Sequence, residues 1–135
     1  AGMRRFEDIH AWQKARELVR SIYDVSGRAA FTKDSALRDQ SRKAAVSIMS
    51  NIAEGFARRT HREFTNFLTI ARGSAAELQS QLYVALDLGY VTEEKFHDLS
   101  TRTEEVSRMI QGLRRSLSAA AGQGERVSVV AGGSA

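Results

Sequence analysis

Apolar residues recur along most of the chain at alternating intervals of three and four, which is the spacing of one face of an α-helix. Four such segments are separated by short polar or glycine-containing stretches. The first covers about residues 6–25, and the others begin near Asp34, Thr60 and Thr92. Because the connections are short, consecutive helices should run in opposite directions. The pattern therefore predicts an all-α chain folded as an antiparallel up-down-up-down four-helix bundle.

Residues that favour helix ends mark the boundaries of these segments. Asp34 and Thr92 are of the types that cap helix N-termini, and Thr60 stands three residues before Glu63 in a capping-box pattern. Gly89 supplies the left-handed residue with which many helices end. These signals place the predicted turns independently of the apolar spacing.

One domain accounts for the 135 residues of the chain. We expect the bundle to cover residues 6–120, with flexible termini at residues 1–5 and 121–135 that derive partly from cloning. No apolar run approaches the ~20 residues of a membrane span, so no membrane association is expected. The chain has no cysteine, which suits the reducing cytoplasm as its location.

Two of the predicted helices carry more apolar surface than a single core-facing stripe can use. The additional positions are Val46, Met49 and Ala53 on the second helix and Ile70, Val84 and Leu88 on the third. One interpretation is a broad core. The other is an interface between copies of the chain, because exposed apolar stripes commonly mark such interfaces. The sequence leaves both open and makes a homo-oligomer a candidate.

Two Glu-x-x-His pairs imitate the ligand set of carboxylate-bridged di-iron bundles, which also use two lone glutamates. The residues concerned are Glu7 with His10, Glu94 with His97, and the single Glu54 and Glu77. The first and fourth helices run in opposite directions, so their starts should be roughly 30 Å apart, too far for one metal centre. No histidine has a serine or cysteine nucleophile in a recognisable frame. The sequence thus predicts no metal, no cofactor and no enzymatic activity.

Arginines gather at one end of the predicted bundle, where the first helix begins, the second meets the third and the fourth ends. They are Arg4, Arg5, Arg58, Arg59, Arg62, Arg108, Arg114 and Arg115. Set against Glu7, Asp8, Glu54 and Glu63, they leave a local charge of +4, equal to that of the whole chain. The planar guanidinium fork suits phosphate, so a nucleic acid, RNA or DNA, is the first candidate partner. Its candidate binding residues are Arg4, Arg5, Arg58, Arg59, Arg62, Arg114 and Arg115. The alternative is that solvated charge at helix ends only complements the helix dipoles.

Three segments resemble a known family in their order and separation. They are Trp-Gln-Lys-Ala at 12–15, Asn-Ile-Ala-Glu-Gly at 51–55 and Ala-Arg-Gly-Ser-Ala-Ala-Glu-Leu at 71–78. The chain resembles, over about residues 6–117, the bacterial four-helix-bundle family named for proteins encoded in intervening sequences of 23S rRNA genes. The resemblance implies a homopentamer without established enzymatic activity. It also implies a link to nucleic acid, through the similar accessory protein of diversity-generating retroelements, which works with a reverse transcriptase and RNA.

Polar residues within these segments have two interpretations. Asn51, Glu54 and Glu77 either form buried hydrogen bonds that fix the register of the bundle or belong to a ligand site. Glu77 is placed to pair with Arg42 or Arg72. A second functional hypothesis also stays open, in which the chain is a scaffold that docks a protein partner such as a polymerase without contacting nucleic acid itself.

Overall fold

The structure, a computed structural model, describes residues 3–122 and is all-helical over that range. A short 3₁₀ helix, Phe6–Asp8, precedes five α-helices. Their bounds are α1 His10–Ser26, α2 Ala29–Lys33, α3 Ser35–Phe56, α4 His61–Asp87 and α5 Glu93–Gly122. The predicted all-α class is confirmed. The predictions for residues 1–2 and 123–135 lie outside the described residues.

The structure departs from the predicted boundaries at both ends and in one connection. The first α-helix begins at His10, because the preceding residues form the 3₁₀ turn. Met3, within the segment expected to be flexible, packs against the core. The five-residue α2 was not predicted, and α5 continues through Gly122. None of the described helices contains an apolar stretch long enough to span a membrane.

The predicted helix ends form as the sequence indicates. The side chains of Asp34, Thr60 and Thr92 each accept a hydrogen bond at 3.1 Å from the backbone N–H three residues later. Gly89 has a φ of +73°, the left-handed conformation that glycine tolerates best. The capping box at Thr60 is incomplete, because its hydroxyl donates to the Glu63 carboxylate at 3.3 Å.

The predicted apolar faces meet in one core. On α1 and α3 its buried members include Ala15, Leu18, Ile22, Ala45, Ile48 and Ile52, and on α4 and α5 they include Leu68, Leu78, Leu82, Leu99, Ile110 and Leu117. Tyr23 was expected to widen this face, but its side chain is exposed and the Arg42 guanidinium lies 4.5 Å from its ring centroid. The core therefore follows the helical spacing except where a polar tip reaches solvent.

Phe31 explains why the short helix α2 forms. Its side chain is 1% exposed, and its ring stacks on that of Tyr90 at 5.4 Å between centroids. The Tyr90 hydroxyl donates to the Asp34 carboxylate at 2.9 Å, which raises the pKa of Tyr90 because the bond and the nearby negative charge favour the protonated phenol. Helix α2 thereby anchors the α1–α3 connection to the α4–α5 connection.

Contacts between helices pair late residues of one with early residues of the next. The Arg42 Nε atom donates to Ser26 Oγ at 2.8 Å, which joins the first half of α3 to the end of α1. A Cβ atom added to Gly55 would lie 2.8 Å from atoms of both Phe64 and Phe67, which shows how closely the end of α3 approaches the start of α4. Helix α4 packs on α5, and α5 packs on α1.

Candidate nucleic-acid interface

The first two candidate arginines stand on a segment held against the bundle. Arg4 and Arg5 are exposed, and their backbone N–H groups donate to the Asp8 carboxylate at 3.1 and 3.3 Å. Phe6 packs edge-on against Trp12 at 5.1 Å between ring centroids. The segment is thus fixed by its backbone and by an apolar side chain. Both guanidinium groups remain on the surface.

The next three candidates lie at and just beyond the turn between α3 and α4. Arg58, Arg59 and Arg62 are all exposed. The Arg58 guanidinium lies over the Phe67 ring, 4.6 Å from its centroid, in a cation–π contact that orients it. The Thr60 cap and the close approach at Gly55 fix the turn from which these side chains project.

The arginines of α5 lie further from the helix end than the sequence suggests. Because α5 extends to Gly122, Arg115 is about 10 Å and Arg108 about 20 Å short of it along the axis. Counting Arg108 among the residues at the bundle end is therefore wrong. Arg115 is exposed, whereas Arg114 is half-buried and donates from Nη1 to the Gln111 Oε1 atom at 2.7 Å.

Ion pairs are distributed unevenly over the described residues. Among the seven candidate arginines, only Arg5 forms an ion pair within residues 3–122, with Glu7 at 3.8 Å. The other pairs are Lys14–Glu17, Arg28–Asp24, Arg38–Asp39, Lys95–Asp98 and Arg102–Asp98. Hydrogen bonds from Arg102 and Arg38 hold the pKa values of Asp98 and Asp39 below the ordinary range. Cations elsewhere on the molecule are thus neutralised internally, and those of the candidate interface largely are not.

The six extra apolar positions divide between core and surface. Met49 and Ala53 pack against the core and Val46 is half-buried, so the second predicted helix supports the broad-core interpretation. On α4, by contrast, the exposed fractions of Ile70, Val84 and Leu88 are 52%, 42% and 54%. Tyr83, 57% exposed, belongs to the same helix and packs its ring against Phe96.

The three polar residues of the matched segments do not act together. Asn51 donates from Nδ2 to the Ser47 carbonyl at 2.8 Å and to its hydroxyl at 3.0 Å, and that hydroxyl contacts Ser74 Oγ across the α3–α4 interface at 2.8 Å. Glu54 and Glu77 are exposed.

The pairing of Glu77 with Arg42 or Arg72 is not formed, since Arg42 donates to Ser26 and Arg72 to Gln111. Arg72 and Glu77 are five residues apart, which points their side chains to different faces of α4. Within residues 3–122, no three histidine, aspartate or glutamate side chains come together as a group that could hold a metal ion.

Comparison with known proteins gives a fold and a family. A solved structure from Bacteroides thetaiotaomicron, described as a protein with unknown function from the S23 ribosomal protein family, superposes with a TM-score of 0.71 at 21% identity. The match covers 78% of this chain and 98% of that one, and it shows that the two share a fold. No curated protein matches the sequence. The family model described as 23S rRNA-intervening sequence protein matches residues 7–112. The chain therefore belongs to the family of 23S rRNA-intervening sequence proteins.

Proposed function

We propose that this protein is a non-enzymatic, oligomeric four-helix bundle that binds nucleic acid, RNA or DNA, through arginines at one end. In this proposal α1, α3, α4 and α5 form the antiparallel up-down-up-down bundle, and α2 is part of a connection. The cross-helix contacts support this arrangement, because each joins the later part of one helix to the earlier part of its neighbour.

The same contacts support the gathering of the arginines. The bond between Arg42 and Ser26 joins the early part of α3 to the end of α1, so the start of α1, with Arg4 and Arg5, points toward the end of α3. The turn that carries Arg58 and Arg59 follows directly. The bond from Arg72 to Gln111 directs the end of α5 toward the start of α4.

The observation that carries the proposal is the shortage of internal partners for these cations. Only one of the seven candidate arginines forms an ion pair within the described part of the chain. A guanidinium group without a carboxylate partner keeps its paired N–H donors available for the oxygen atoms of a phosphate. Six of the seven are also fully exposed, Arg114 being the exception.

Fluorescence anisotropy with a labelled 20-nucleotide RNA, measured over a salt series, tests the proposal. Affinity should fall steeply with salt, because bound arginines displace counterions from the strand. Arg58→Glu combined with Arg59→Glu should weaken binding and lower the slope of log K against log salt by about 1.4, since each lost contact contributes roughly 0.7 on a single strand.

Arg16→Glu combined with Arg20→Glu is the matched control. It makes the same change in charge at exposed positions of α1, outside the candidate interface. Binding that is absent at low salt, or that both double variants weaken equally, would refute recognition through the end of the bundle. Circular dichroism shows whether each variant keeps its helices.

The proposed self-association rests on family membership and on the exposed apolar side chains of α4. A homopentamer is the expected form, and light scattering should then give about five times the chain mass of 14.9 kDa. Val84→Lys places a charge among Ile70, Val84 and Leu88 and should reduce the measured mass if these residues lie between copies. An unchanged mass would exclude this face as the interface.

The exposed face of α4 also supports a second candidate function, a scaffold that docks a protein such as a polymerase. Ile70, Tyr83, Val84 and Leu88 would supply the apolar contact. The two functions differ in what the purified protein carries. A nucleic-acid-binding protein should co-purify with nucleic acid and show a raised ratio of absorbance at 260 to 280 nm, whereas a scaffold should not.

A further inference from the structure

A groove runs along the surface between α4 and α5, away from the end of the bundle. It consists of two adjoining depressions of about 300 and 450 Å³ that share Arg72, Glu104 and Ser107. Arg108, Gln111 and Arg115 complete the lining of the first. The second depression is lined by small residues, among them Gly73 and Ala76, which are both exposed.

Guanidinium groups are concentrated here around a neutral acceptor. The Gln111 Oε1 atom accepts a hydrogen bond from Arg72 Nη1 at 2.9 Å and another from Arg114 Nη1 at 2.7 Å. The Arg114 Nε atom is buried and has no partner. With Arg108 and Arg115, four arginines lie near one carboxylate, Glu104.

None of the four arginines forms an ion pair within residues 3–122. Like charges held this close repel one another, and an amide oxygen supplies no compensating charge. The groove consequently offers an anion an electrostatic attraction that the folded chain leaves unused.

We propose that the groove between α4 and α5 binds the phosphate backbone of a single-stranded nucleic acid, with Arg72, Arg108 and Arg115 as its phosphate ligands. Arg108 and Arg115 lie two helical turns apart on α5, about 10 Å along the axis, so they contact different phosphates of one strand. Ser107, half-buried beside them, adds a hydroxyl donor.

The shape and lining of the groove define the class of ligand. Packed helices have axes 8–10 Å apart, so the groove between them admits one extended strand and is too narrow for a duplex. No aromatic side chain lines either depression, and base stacking is therefore not part of the recognition. Contacts to phosphate alone fix the position of a strand without selecting its sequence.

This inference rests on the proposed nucleic-acid binding and adds a second site to it. The test uses the full chain and a fluorescein-labelled 20-nucleotide poly-U RNA. Arg72→Gln combined with Arg108→Gln should weaken binding by about tenfold or more, because each lost charged hydrogen bond to phosphate contributes on the order of a factor of ten. Arg16→Gln combined with Arg20→Gln changes the net charge equally and should leave affinity within about twofold of the unmodified protein.

A second variant tests the groove without changing any charge. Gly73 lines the second depression, and a Cβ atom added there would meet nothing within 4 Å. Gly73→Leu should therefore leave the thermal unfolding temperature at or above that of the unmodified chain while its side chain obstructs the strand and weakens binding. Retained affinity in a folded Gly73→Leu protein would overturn the proposed path of the strand.

The remaining outcomes separate this inference from the proposed function. If the unmodified protein binds RNA but the groove variant behaves like the α1 control, the groove is refuted and the bundle end keeps its role. No binding at low salt refutes both. Equal affinity for a 20-base-pair duplex, or for polyglutamate of similar charge, would overturn the assignment of a single phosphodiester strand.

Discussion

Replacing Gln111 with glutamate should change stability and nucleic-acid binding in opposite directions. The substitution preserves the size and shape of the side chain and puts a carboxylate where one amide oxygen now accepts from Arg72 and Arg114 at 2.9 and 2.7 Å. Two ion pairs then form at the distances already present. Arg72 is exposed and Arg114 half-buried, so solvent screens both pairs. At 0.2–1 kcal/mol for each screened pair, the gain in the free energy of unfolding is about 1 kcal/mol.

Thermal unfolding followed by circular dichroism measures this gain. A change of about 1 kcal/mol corresponds to a rise of roughly 3–5 °C in the midpoint for a chain of this length. Gln40→Glu is the matched control, because Gln40 is exposed on α3 and lies beside Glu77. It should give no stabilisation. In the anisotropy assay, Gln111→Glu should bind RNA more weakly than the unmodified protein, because the new carboxylate competes for the same guanidinium groups.

The opposite signs make this prediction demanding. A general loss of structure would lower both stability and binding, and a general change in net charge would act equally in the Gln40→Glu control. If Gln111→Glu binds RNA as tightly as the unmodified protein while its midpoint rises, Arg72 and Arg114 take no part in binding. If the midpoint falls, the account of unrelieved repulsion around Gln111 is wrong.

Three further predictions concern stability and are measured by chemical or thermal unfolding. Gly55→Ala should lower the free energy of unfolding by about 1–2 kcal/mol, because its Cβ atom would overpack against two phenylalanines, whereas Gly73→Ala should raise it by about 1 kcal/mol, since only helix propensity changes there; equal effects would contradict the packing at Gly55. Phe31→Ala should cost about 3–5 kcal/mol if the short α2 helix is integral to the core, and a cost below 1 kcal/mol would show that it is not. The raised pKa of Tyr90 means that its bond to Asp34 stabilises the fold fully below pH 10 and is lost as the pH rises through that raised value, so Tyr90→Phe should flatten the alkaline decline in stability; an unchanged decline would refute this.

Local signals in the sequence were sufficient for the long helices and their ends. Each cap at Asp34, Thr60 and Thr92 depends on one side chain and a backbone group three residues away, so spacing alone determines it. The buried faces likewise follow from the helical repeat. Helix α2 gave no such signal, because five residues are too few to show a period, and the burial of Phe31 depends on Tyr90, which is distant along the chain.

The candidate interface was less accessible to sequence reasoning, because its contacts join helices. The end of α5 carries three consecutive alanines, the best helix formers, and no residue before Gly122 stops the helix. The sequence therefore understates the length of α5 and moves Arg108 too close to its end. The bonds of Arg72 to Gln111 and of Ser47 to Ser74 depend on the register between helices, which the spacing of residues along one helix does not determine.

The arginines without partners are also the places where the sequence departs from the most stabilising choice. The chain has 16 acidic residues for 20 basic ones, and at α1, α3 and α5 it pairs several of them across one helical turn or less. At position 111 a single substitution would pair two more, yet an amide stands between Arg72 and Arg114. A position at which a stabilising residue would fit and is not used indicates a requirement other than folding. An anion that binds these guanidinium groups meets that requirement, because it removes their repulsion in the bound state and needs them uncompensated in the free one.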